Sequence, residues 1–172
     1  MEKKVKSEMI YDGKIIKVYK DQVECPNKRL ATREIVRHHG GVGILAVVDD
    51  CILLVKQFRY AYNKDTLEIP AGKLELGEEA GPAGKRELEE ETGYASEHLE
   101  PLISIVTAIA FCDEVIDIYL ATDLKKTQQH LDEDEYIDVY AYTPQELADM
   151  IYSGKIQDSK TVAAIMAYIN RK

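Results

Sequence analysis

The stretch GVGILAVVDDCILLVKQFRY, residues 41–60, constrains the fold more than any other part of the chain. Two apolar runs flank Asp49-Asp50, and neither shows the apolar-polar alternation of a strand with one wet face. Both runs therefore read as strands buried on both sides, joined as a hairpin at the heart of the domain. The remainder of the chain has to supply what covers them.

Residues 5 to 38 alternate apolar and polar positions, with bends predicted at Asp12-Gly13 and Pro26-Asn27, which describes a small antiparallel sheet. After the central hairpin, AYNKDT reads as a loop, and Pro70, Gly72, Gly77 and Gly81 make a long regular element improbable in LEIPAGKLELGEEAG. A helix follows, with Pro82 at its expected first position and Gly93 just past its end. LISIVTAIA and EVIDIYLAT read as strands, and the acidic LDEDE as a loop before the strand YIDVYAY. Thr143, Pro144 and Glu146 announce a capped helix over PQELADMIYS. Asp158 caps a final helix, whose Val162, Ile165, Met166 and Ile169 recur at core-packing spacing. Strands with interspersed helices, without strict alternation, predict an α/β (α+β) fold in which a mixed sheet carries helices on its faces.

A chain of 172 residues suits one domain with a small appended subdomain. Its net charge of -9 repels nucleic acid and acidic membrane surfaces, which favours a small ligand. Cys25, Cys51 and Cys112 have no metal-site spacing and read as reduced thiols. GVGILAVV is too short to span a bilayer and the first residues lack an apolar leader core, so the expected location is cytoplasmic, with no membrane partner. His38-His39 has no third ligand suitably spaced and reads as a strand-end feature.

The helix after Pro82 crowds Glu87, Glu89, Glu90 and Glu91 together. At about 100° per residue, Glu87, Glu90 and Glu91 share one face, while Lys85 and Glu89 point away. Such repulsion costs about 0.2–0.5 kcal/mol per pair in water and far more in a desolvated cleft. A bound cation removes the problem. Oxygen-only donors suit Mg²⁺, or Mn²⁺ as a substitute, and Mg²⁺ commonly bridges to substrate phosphates. Arg86 lies one turn before Glu90 and is placed to orient it.

Spacing separates this helix from an ordinary solvated acidic face. Gly72 is followed after five residues by Glu78, then after seven by Arg86-Glu87, Leu88, Glu90-Glu91 and Gly93. Chance would produce that arrangement on the order of once in a million chains. It resembles the signature box of the Nudix hydrolase family at every fixed position but the last, where Tyr94 stands in place of an aliphatic residue. The resemblance implies the Nudix fold, a mixed sheet sandwiched between helices, over residues 39–172, and an N-terminal antiparallel sheet over residues 1–38 that exchanges across a homodimer. It also implies that Glu87 and Glu91 are the main metal ligands, with Glu90 accessory, the Ala71 carbonyl completing the sphere and Arg86 orienting the glutamates.

Beyond the box, QFRYAYNKDTLEIPAGKLELGEE, DEDEYIDV and GKIQDSKTVAAI resemble ADP-ribose pyrophosphatases. That likeness implies Mg²⁺-dependent hydrolysis of ADP-ribose to AMP and ribose 5-phosphate, with Glu135 or Glu133 as the base and Glu135 preferred. Arg33 and Arg59 match substrate-contacting positions, and Glu68 is expected near the metals or paired with Arg59. Where those enzymes usually carry Ser-Pro-Gly, this chain has Ile109 and Ala110, followed by Asp113 and Glu114. The change puts another nucleotide sugar, such as GDP-mannose, in contention as substrate. A non-catalytic ADP-ribose sensor is the third alternative, opposed by the complete set of box carboxylates.

Overall fold

The computed structural model describes residues 1–133 and 135–171, so Asp134 of the acidic loop lies outside the described residues. The chain divides into two compact units, Met1–Gly40 with Val106–Val115, and Gly41–Ile105 with Ile116–Lys172.

In the first unit, β1 (Lys3–Asp12), β2 (Lys17–Glu24) and β3 (Leu30–Arg37) form an antiparallel sheet in that order. Both bends fall where the turn residues predict. Gly13 N–H donates to Ile16 O at 3.0 Å, and Asn27 Oδ1 accepts from Arg29 N at 3.1 Å. The segment after residue 106 rejoins this sheet: Val36 donates to Phe111 O at 2.7 Å and accepts from Asp113 N at 3.3 Å. Nothing in the sequence signals that return, because its partners lie some 75 positions apart along the chain.

The second unit opens with the expected hairpin, β4 (Gly41–Val48) and β5 (Cys51–Arg59). Asp49 and Asp50 both adopt positive φ, 48° and 61°, as a two-residue turn matching strand twist requires. Then follow β6 (Lys64–Glu68), β7 (Ala71–Lys73), α1 (Ala80–Thr92), β8 (Tyr94–Ala95), β9 (Glu100–Val106), β10 (Val115–Ala121), β11 (Lys125–Lys126), β12 (Asp138–Tyr142), α2 (Pro144–Tyr152) and α3 (Ser159–Ile169). The sheet runs β12-β5-β4-β10-β9, with β6 on β5 and β7 on β4. β10 lies parallel to β4, while β5 lies antiparallel to β4, β6 and β12, so the sheet is mixed as expected.

Both faces of β4 are covered. Val42, Ile44 and Ala46 pack with Ala83 and Leu88 of α1 in one cluster. Leu45 packs with Leu147 and Met150 of α2 and Ala164 and Ile165 of α3 in the other. This layering is why the two central runs carry almost no polar residues.

Three local expectations are corrected. Helix α1 starts at Ala80, with Glu79 extended at its N-cap, so Pro82 is its third residue. The first-turn N–H groups have no intrahelical partners, and proline there costs nothing. Lys64–Glu68, expected partly as loop, is a strand, because Asn63 at φ 50° reverses the chain and lays it back along β5. Ile169 is exposed at the end of α3 instead of joining the core. The capping box of α2 and the Asp158 cap of α3 form as predicted.

Candidate active site

Leu88 anchors α1 against the sheet, fully buried, and thereby aims the acidic face along β7. Glu91, the penultimate residue of the helix, is only 4% exposed, and its Oε2 accepts from Ala71 N at 3.0 Å. Burial pushes its carboxyl up to about 8, an effect that the Ala71 bond opposes and the Glu87 and Glu135 charges reinforce. Glu87 is also raised, first by burial and further by Glu90 and Glu135, against the opposing pull of Arg86. Its carboxylate lies where a side chain at residue 72 would be: a Cβ there would come within 1.9 Å of Glu87 Oε1. Glycine 72 is thus the cradle of that carboxylate.

Arg86 Nη1 lies 2.8 Å from Glu87 Oε1 and 2.9 Å from Glu90 Oε2, and Arg86 Nη2 is 3.4 Å from Glu78 Oε1. One guanidinium therefore gathers three of the box carboxylates. With Glu87 and Glu90 turned onto it, no three His, Cys, Asp or Glu side chains among the described residues enclose a metal-sized point. The donor set nevertheless fits a hard divalent cation. It is all oxygen, two of its carboxylates are desolvated and mutually repelling, and a third carboxylate, Glu135, acts on both.

Of the two loop candidates, Glu135 exerts this field on Glu87 and Glu91. Glu135 N–H donates to Asp132 O at 3.0 Å within the loop.

Arg59 and Glu68 form a two-pronged ion pair, both bonds 2.7 Å long. Glu68 is 3% exposed and also accepts from Thr66 Oγ1 at 2.6 Å and from Lys160 Nζ. Burial alone would raise the Glu68 carboxyl, but Arg59 and Lys160 hold it at about 2. This cluster lines a cavity of about 450 Å³ together with Tyr62, Lys64 and Gln157. Lys160 carries no sequence signal as a site residue: it pairs locally with Asp158 at 3.0 Å, but its other partner, Glu68, lies far away along the chain.

Arg33 and Glu114 belong to the first unit. Arg33 Nε donates to Glu2 Oε2 at 3.2 Å. Glu114 accepts from Thr107 Oγ1 at 2.8 Å and stands 3.3 Å from His38 Nδ1, and Asp113 pairs with Arg37 at 2.8 Å. Ile109 is 84% exposed, on a turn in which Ala108 O accepts from Phe111 and Cys112. The three cysteines are free thiols.

An acidic helix packed on a mixed sheet, with a glycine cradle and a loop carboxylate whose charge acts on it, describes a fold and site that known proteins share. The NUDIX domain profile matches residues 37–165, and that of the nucleoside diphosphate sugar hydrolase N-terminal domain matches residues 2–36. The chain belongs to the Nudix hydrolase family.

Among its relatives, a methanol dehydrogenase activator of Bacillus methanolicus is 45% identical over 95% of this chain and 90% of its own. An ADP-ribose pyrophosphatase of Bacillus subtilis (strain 168) is 42% identical over the same shares. A second ADP-ribose pyrophosphatase, from Mycobacterium tuberculosis, is 34% identical over 95% of this chain and 81% of its own. A crystal structure of an ADP compounds hydrolase superposes with a TM-score of 0.87, covering 98% of this chain and 92% of that one, and at 20% identity it speaks to the fold alone.

Proposed function

We propose that this chain hydrolyses the pyrophosphate bond of ADP-ribose, with Mg²⁺, to AMP and ribose 5-phosphate. The observation that carries the reading is the pair of Glu87, cradled on Gly72, and buried Glu91, held by Ala71 N–H, two carboxylates on which the Glu135 charge also acts. Two relatives that share most of the chain's length are ADP-ribose pyrophosphatases. Glu87 and Glu91 would hold the metal, assisted by Glu90 and the Ala71 carbonyl. When bound, a divalent ion supplies neutralisation of the phosphate oxygens and a more acidic water.

The chain's own residues do the rest. Glu135 accepts the proton that the attacking water gives up as the bridging P–O bond breaks. Arg86 keeps Glu87 and Glu90 oriented. Glu68 holds Arg59 in one rotamer for the anionic substrate, and Arg33 and Glu114 are the further proposed substrate contacts. The protein works in the cytoplasm as a homodimer; β1, exposed along its whole length with Val5, Met9 and Tyr11 bare, is the surface a second copy would cover.

A substrate panel with wild type and Glu91→Gln tests this reading. ADP-ribose turnover that needs Mg²⁺ and vanishes in the variant supports it. Turnover of GDP-mannose or another nucleotide sugar with negligible ADP-ribose cleavage overturns the substrate, and undiminished activity of Glu91→Gln overturns the site.

The 45% identical relative motivates a second reading, in which the chain raises the rate of an alcohol dehydrogenase. Adding it to a methanol dehydrogenase assay decides: acceleration lost in Glu91→Gln would tie that effect to the same site, and no acceleration removes the reading.

A further inference from the structure

The end of α1 poses a problem that the chain solves at a distance. The last carbonyls of a helix lack intrahelical partners, and this helix ends in buried residues, Glu91 and Thr92, where water does not serve them. Gly93 N–H takes Glu89 O at 2.9 Å. The remaining partners come from residues 127–130: His130 N–H donates to Glu90 O at 3.0 Å, and Thr127 N–H to Gly93 O at 2.8 Å. Gln129 adds its side chain. Its Nε2 donates to Glu91 O at 2.7 Å and to Ile137 O at 3.3 Å.

Those two carbonyls belong to different parts of the site. Glu91 is the buried box carboxylate, and Ile137 closes the acidic loop just before β12. Gly93 is shaped for the same docking: at φ 67°, a Cβ on it would lie 2.9 Å from Gln129 N. The Gln129 amide thus spans from the helix that carries Glu87 and Glu91 to the far end of the loop that carries Glu135, while His130 N–H fastens the loop's near end to the same helix.

We propose that Gln129 is a positioning residue for the reaction, clamping both ends of the acidic loop to the end of α1 so that the Glu135 carboxylate faces Glu87 and Glu91. It rests on the reading of Glu135 as the base. The amide is suited to the task because it presents two donors, one for each carbonyl, and neither carboxylate nor thioether of the same length does.

Gln129→Met keeps length and removes both donors; Gln129→Ser is a second, smaller replacement should the first fold poorly. With ADP-ribose and saturating Mg²⁺, kcat should fall about 10- to 100-fold with KM nearly unchanged. The same cut made in Glu135→Gln should cost nothing further, because the carboxylate it positions is gone. Amide hydrogen exchange should quicken at residues 130–133 and 135–137 in both variants while the core strands stay protected. Wild-type kcat in both Gln129 variants, or a full additional loss on top of Glu135→Gln, overturns the clamp. Wild-type kcat in Glu135→Gln alone overturns the base and the clamp with it, and so distinguishes the two failures.

Discussion

At residue scale the site is a set of carboxylates held where solvent would not leave them. Glu87 rests against the Cα of Gly72, so Gly72→Ala forces the carboxylate aside while the backbone can stay, since the clashing atoms are the end of a flexible side chain. kcat should drop about 100-fold with an almost unchanged melting temperature, because displacement of about 1 Å at a reacting centre has that effect. Steady-state kinetics beside a thermal melt checks it.

Glu68 gives a prediction in pH. Its carboxyl is held at about 2 against an ordinary 4.5, so the ionised form binds the folded state more strongly. The stabilisation, about 3 kcal/mol for a shift of this size, is complete above about 4.5 and is lost as pH falls toward 2. Acid titrations of wild type and Glu68→Gln should therefore diverge in that window, the variant losing stability less steeply with falling pH. Sequence exposed the identities of Glu87, Glu90, Glu91 and Arg86 because their spacing is local. The partners of Glu68 were half visible: Arg59 was legible, but Lys160, 92 positions away, was not.

Among the elements, α2 shows how little tertiary help a well-capped local sequence needs. Thr143 accepts from Glu146 N while Glu146 reaches back to Thr143 N at 2.8 Å, a reciprocal cap. Thr143→Ala should cost about 0.5–2 kcal/mol, read from the urea midpoint, and leave kcat alone. Leu88→Ala should cost about 2–5 kcal/mol and also lower kcat, because the side chain that seats α1 on β4 sets where Glu87 and Glu91 point. β6 is hidden in the sequence for a physical reason: its pairing is created by a left-handed Asn63, a backbone choice that a polar stretch such as AYNKDT does not advertise.

On the scale of the whole molecule, a ligand that binds only the folded state raises stability by mass action, by about 2.7 kcal/mol at a hundred times its dissociation constant. Mg²⁺ should raise the melting temperature of the wild type and fail to do so in the double variant Glu87→Gln, Glu91→Gln, as calorimetry with and without chelator would show. A sedimentation mass of one chain, not two, would remove the proposed dimer.

The chain's own letters determined the family, the mixed sheet with covered faces and the acidic face of α1, because periodicity and spacing are local properties of the unfolded chain as well as the folded one. Tertiary structure decided what those letters leave open. It put the Glu135 charge within reach of Glu87 and Glu91, buried Lys160 beside Glu68, and brought residues 127–130 to the end of α1. Each depends on hydrogen bonds or fields between groups far apart in sequence, and such pairings exist only once the chain has folded.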